Sequence, residues 1–281
     1  MKKILILSIQ HTGTFFASKT LAAAYPDSHL RIGSLYDKHI KLGHQRYVTE
    51  GVTELSDFYQ PTSVVGKDFV EKTVLEVCKK EDIKDKDIVI GHEHFHKADS
   101  WILKALIAAP AECPIVIPTR DPILSLHSKM WREIEHHNNK QGGKEKSRRR
   151  RLKKWIDMYK KILSIPKGHV FLLPIDAEQS KSEGTRIQLI KDMYRYCDVE
   201  FNNTAFKEAQ AWSPTNTTDI LIRKEHEKIP SPRWENFKER YLAGDIAHTK
   251  AIMGMEFEEL NKEEKLKELM KKAGYKNVLW W

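Results

Sequence analysis

The stretch from Ile4 to Ala24, ILILSIQHTGTFFASKTLAAA, constrains the fold more than any other part of this 281-residue chain. Ile4, Leu5, Ile6 and Leu7 form an apolar run without alternation, as expected for a strand covered on both faces of a parallel sheet. Polar residues from Gln10 to Thr14 interrupt the run, and Gly13 leaves the backbone free to turn. A helix is predicted from near Thr14, and its unpaired N–H groups and positive dipole end would face back onto the loop. The segment reads as an anion-binding strand, loop and helix. A plain Gly-Thr turn between a strand and a helix is the alternative.

With 40% hydrophobic residues the chain can bury a full core, and its length lies in the upper range of one α/β domain, so residues 1–281 are expected to form a single domain. Polar Gln10 and His11 follow Met1-Lys2-Lys3 too soon for a signal peptide, and no apolar stretch is long enough for a membrane span. Cys78, Cys113 and Cys197 are scattered, odd in number and without a C-x-x-C pair, which predicts reduced thiols in a cytoplasmic protein. The formal charge of +9 is local. From Lys140 to Lys161 eleven Lys or Arg stand against Glu145 and Asp157, and the rest of the chain is balanced. Leu152, Trp155, Ile156, Tyr159, Ile162 and Leu163 recur there at helical spacing, predicting an amphipathic helix with a basic outer face. That face is either merely solvated or an attraction surface for an anionic acceptor or nucleic acid.

Along the chain, residues 28–66 show weak periodicity. Asp68 and Glu71 resemble a capping box for a helix carrying Val70, Val74, Leu75, Val77 and Cys78. Ile88-Val89-Ile90 is a second predicted strand, ending at Gly91-His92-Glu93-His94, and Asp99 or Ser100 caps a helix through Ala109. Ile115-Val116-Ile117 is a third, running into Pro118-Thr119-Arg120-Asp121-Pro122. A fourth spans Val170 to Leu173 and ends near Asp176, followed by a helix from Gly184 to Cys197. Asn261 with Glu264 is expected to cap a final helix that Gly274 closes. Alternating strands and helices predict an α/β fold with a central parallel sheet flanked by helices. Ligands of such sheets bind beyond the carboxyl ends of the strands, which directs attention to His11-Thr12-Gly13, to His92-Glu93-His94 and to Arg120.

Two phosphate-binding patterns compete for the first loop. Gly13, Ser18, Lys19 and Thr20 match the kinase pattern G-x-x-x-x-G-K-[ST] except that Ser18 replaces the second glycine, and five residues separate the apolar run from Gly13. His11-Thr12-Gly13-Thr14-Phe15-Phe16 matches the K-S-G-T-T-W segment of cytosolic sulfotransferases, with the glycine and first threonine in place. Arg120-Asp121-Pro122 with Ser128 fits that family's R-x-P and serine, spacing included. Ile222-Arg223-Lys224-Glu225 and then Trp234-Glu235-Asn236-Phe237 are similar to its R-K-G and W-K-N-x-F segments, although Glu225 stands in place of the glycine and the intervening segment is longer. An ordinary strand-to-helix junction and a charged linker are the plainer alternatives for the latter two matches. The chain thus resembles sulfotransferases that use 3′-phosphoadenosine-5′-phosphosulfate (PAPS), whose architecture is P-loop-like.

The resemblance implies that His11, Thr12, Gly13 and Thr14 cradle the 5′-phosphosulfate, with Phe15 alongside and Phe16 in the place of the tryptophan that stacks on adenine. It implies that Arg120 and Ser128 hold the 3′-phosphate, with Arg223 and Lys224 covering it. The family's loop lysine is His11 here, so an imidazolium or the more distant Lys19 would have to neutralise the bridging oxygen. His92 follows Gly91 where the family places its general base, and Glu93 and His94 are the fallback candidates. His92, His94 and His96 alternate and could instead ligate a metal, although no accompanying carboxylate completes a metallohydrolase set. The expected enzyme is metal-independent and moves a sulfonate group from PAPS to a hydroxyl of a glycan or small molecule, leaving adenosine 3′,5′-bisphosphate. The acceptor's identity is open, and anionic groups on it are compatible with the basic helix. A P-loop kinase and a basic nucleic-acid-binding module are the alternatives; neither a nucleic-acid nor a membrane partner is expected.

Overall fold

The computed structural model describes residues 2–9, 12–13, 17, 20–21, 29–30, 88–94, 100–111, 113–127, 145–175, 183–201, 203–204, 232–276 and 278–281. The predicted helix at 68–78 lies outside them. The strands are β1 (Lys2–Ser8), β2 (His29–Leu30), β3 (Ile88–His94), β4 (Ile115–Arg120) and β5 (Phe171–Ile175). They form one sheet in the order β2-β3-β1-β4-β5, and every pairing is parallel. The helices with both ends described are α1 (Ser100–Ala108), α2 (Glu145–Leu163), α3 (Glu183–Tyr196), α4 (Pro232–Leu242), α5 (Ile246–Asn261) and α6 (Glu264–Lys272). The fold is α/β with a central parallel sheet flanked by helices. Among the described residues no helix is long and apolar enough to cross a membrane.

The unbroken apolar run of β1 is explained by burial on both faces. Leu5, Leu7 and Ile9 join a core with Leu103 and Leu106 of α1, the inner side of α2 and the C-terminal helices. Ile4 and Ile6 join a second core with Ala17 and Leu21 of the following helix and Ile190, Met193 and Tyr194 of α3. Each fully buried Leu or Ile side chain contributes about 1.5–3 kcal/mol by leaving water, so this strand anchors both layers. In α2, Leu152, Trp155, Ile156, Tyr159, Ile162 and Leu163 are all buried, as their spacing predicts.

Three local expectations are corrected. The strand predicted at 88–90 runs on through Gly91, His92 and Glu93 to His94, because β1 continues to pair with it from Lys2↔Ile88 to Ser8↔His94. Strand β4 runs through Pro118 to Arg120. Proline is tolerated inside it because the pairing with β1 covers only Ile115 and Val116, while β5 alone pairs as far as Arg120. Asn261 does not cap the last helix. It ends α5, while Glu263 occupies the N-cap of α6 without a side-chain bond. Gly274 does close α6: at φ +99° it permits Gly274 N–H to bond Lys271 O and Tyr275 N–H to bond Met270 O, each at 3.0 Å, a Schellman motif.

Candidate functional site

In the sheet β1 lies between β3 and β4, so the carboxyl ends of three adjacent strands open onto one edge. Strand order reverses there, the crevice in which open parallel sheets bind ligands. His92, Glu93 and His94 stand in register with Ile6, Leu7 and Ser8, which makes His94 rather than His92 the last residue of β3. Arg120 is the last residue of β4 and is half-buried. His11, Thr14, Phe15, Phe16, Ser128, Arg223 and Lys224 lie outside the described residues.

The loop after β1 is held by its own backbone. The Thr12 hydroxyl, fully buried, donates to Ile9 O at 2.7 Å. Ala17 N–H bonds Gly13 O at 3.2 Å, a bond of helical spacing that ties Ala17 back to the loop. Gly13 has φ +90°, and a Cβ built on it would stand 2.9 Å from Ile175 Cγ1. Ile175 is the register partner of Arg120. Gly13 and Arg120, far apart in sequence, are therefore brought to one corner, on the order of 10 Å apart given the spacing of neighbouring strands. Gly13→Ala would meet both a disfavoured φ and this contact. We expect it to cost about 1–3 kcal/mol, read as a lower denaturation midpoint.

Arg120 sits on a backbone fixed by tyrosines, of which the sequence pattern marks only Tyr159, and that only as part of the covered side of α2. Tyr159 of α2 receives the Arg120 N–H at 2.8 Å and donates to Arg120 O. Tyr275 OH bonds Thr119 Oγ1 at 3.1 Å. Asp121 caps the helical turn 122–127: its Oδ1 accepts from Ile123 N–H and its Oδ2 from Tyr241 OH, both at 2.8 Å. Pro122 occupies the first helical position, where its missing N–H costs nothing. Burial holds the Tyr159 and Tyr275 hydroxyls well above their usual range, and Tyr241 is raised by burial and then by the Asp121 charge. All three stay protonated at ordinary pH. The Asp-Pro pair was a readable capping signal. The tyrosine hydroxyls, drawn from α2, α4 and the C-terminal segment, gave none.

His127 of the same helical segment is 4% exposed and packs against Phe237 with ring centroids 3.8 Å apart and the rings tilted by 32°. Burial, with the neighbouring charge of His248, lowers its pKa from 6.5 to about 4. The unfolded chain therefore takes up a proton near pH 6.5 that the folded chain refuses until about pH 4. Stability from this group is complete above 6.5 and falls as pH drops toward 4, by roughly 2 kcal/mol at pH 5. Urea midpoints of the wild type and His127→Leu at pH 7.5 and 5 check this, with the smaller acid loss expected in the variant.

No protein-family model matches the chain. No curated protein matches it by sequence either. Among solved structures, the crystal structure of mouse sulfotransferase SULT7A1 complexed with PAP is similar at 9% identity and a TM-score of 0.41, over 88% of this chain and 82% of that one.

Proposed function

We propose that the chain is a sulfotransferase that moves a sulfonate group from PAPS to an acceptor hydroxyl. The observation that carries this is the corner itself. Gly13, from the segment resembling K-S-G-T-T-W, packs on Ile175, the strand partner of Arg120 from the segment resembling R-x-P. In our reading these two segments would form the two halves of a nucleotide bisphosphate site, at the end of the sheet where ligands of such folds bind. The residues present fit such a donor. A helix N-terminus after Gly13, as the sequence predicts, would suit a 5′-phosphosulfate, and a backbone-fixed arginine suits a 3′-phosphate.

In this scheme Arg120 and Ser128 hold the 3′-phosphate, with Arg223 and Lys224 over it, while the loop from His11 to Thr14 orients the sulfonate and Phe16 supports the adenine. His92 accepts the hydroxyl proton as the acceptor oxygen bonds to sulfur. The sulfur-oxygen bond to the 5′-phosphate breaks, and His11 as imidazolium, or Lys19, offsets the charge left on that oxygen. Positioning and oriented donors supply the rate, as in phosphoryl transfer. The compartment we assign is the cytoplasm, where Cys78, Cys113 and Cys197 would remain thiols. Incubation with PAPS and a panel of hydroxyl compounds should release adenosine 3′,5′-bisphosphate in an acceptor-dependent way. Phosphoryl transfer from ATP to the same panel, with PAPS inert, would assign a kinase instead.

A further inference from the structure

We infer that the exposed cationic stripe of α2 is the docking face for an acidic saccharide acceptor, an inference that rests on the sulfotransferase proposal. Helix α2 runs against the strand direction: Tyr159 meets Arg120 at the carboxyl end of β4, and the chain then descends through residue 170 to enter β5 at Phe171, the register partner of Val116. The part of α2 before Tyr159 therefore extends toward and past the edge where the site lies. Residues 150 to 159 span roughly 13 Å of helix axis.

Arg150, Lys153 and Lys154 are exposed, and their spacing puts them on one side of that projecting part with Asp157. Lys160, further down, is paired with Glu263 of the α6 cap. The apolar side, Leu152 and Trp155, is covered by the core. What α2 presents beside the site is positive charge without rings, since Trp155 and Tyr159 are buried and no aromatic side chain is exposed among the described residues. Single-stranded nucleic acid is held by stacking on exposed aromatics as well as by charge, and that half is missing from this face. A flexible chain bearing carboxylates and hydroxyls needs only the charge. Being an acceptor of sulfonate, it would also supply the hydroxyl.

The test uses chemically desulfated heparin, which keeps uronate carboxylates and free hydroxyls, with the full chain and the variant R150Q/K153Q/K154Q. Wild type is expected to bind it with an affinity that falls steeply with salt, and the variant about ten-fold more weakly. Adenosine 3′,5′-bisphosphate should bind both proteins equally, which also checks that the variant folds. Equal saccharide binding by both proteins, or none by either, overturns the inference while nucleotide binding leaves the sulfotransferase proposal standing. Tighter binding of polyuridylate, lost in the variant, reassigns the face to nucleic acid. Saccharide binding without nucleotide binding refutes the proposed function and, with it, the saccharide's role as acceptor.

Discussion

His92→Ala is expected to lower kcat by about a hundred-fold or more while nucleotide affinity stays within a few-fold, a loss of about 2.7 kcal/mol of transition-state stabilisation. A residue that only removes the acceptor's proton acts in the chemical step and leaves donor binding alone. His92 lies on β3 in register with Ile6, beside the strand that feeds the loop at Thr12 and Gly13. Because β3 continues for two further residues, Glu93→Gln and His94→Ala are needed controls. Full activity in His92→Ala with an inactive His94→Ala would move the base to the last residue of the strand, next to Ser8. His11→Ala should impair both nucleotide binding and turnover if His11 belongs, as proposed, to the loop that holds the 5′-phosphosulfate. Single-turnover rates separate the two behaviours.

Arg120→Ala is expected to weaken adenosine 3′,5′-bisphosphate binding ten-fold or more, because hydrogen bonds to charged groups contribute about 1.5–3 kcal/mol each. The corner should survive the substitution. Tyr159 holds Arg120 through its backbone N–H and carbonyl, which alanine retains, and the Asp121 cap involves no part of the arginine side chain. Titration calorimetry then reads a lost ligand contact rather than a lost fold. Arg120→Lys should recover only part of the affinity, since an ammonium cannot reproduce the fork of a guanidinium.

What was legible in the sequence was what repeats locally. The apolar run of β1 announced a strand buried on both sides, and the spacing from Leu152 to Leu163 announced the covered side of α2. Elements defined by partners were harder to read. Two residues, His29 and Leu30, make a strand only because β3 is there to pair with them. Gly91 and the polar residues after it look like a loop until β1 supplies a ladder. Asn261 and Glu264 have capping-box spacing, yet α5 persists to Asn261 and leaves Glu263 at the cap. In the candidate site, Arg120 and Gly13 could be named from motifs, and Asp121 could have been read as a cap. The hydroxyls of Tyr159, Tyr241 and Tyr275 reach Thr119, Arg120 and Asp121 across 39 to 156 residues of chain, and no local pattern encodes such contacts.

Thermal denaturation of the wild type with adenosine 3′,5′-bisphosphate, adenosine 5′-phosphate and ATP in parallel tests the proposed nucleotide site most directly. A ligand at a hundred times its Kd stabilises the native state by about 2.7 kcal/mol. For a chain of this size that raises Tm by several degrees, at roughly 2–4 °C per kcal/mol. The bisphosphate should produce that shift and adenosine 5′-phosphate far less, since only the former carries the 3′-phosphate for Arg120. Equal shifts with both monophosphate and bisphosphate, or a shift with ATP alone, would contradict the site.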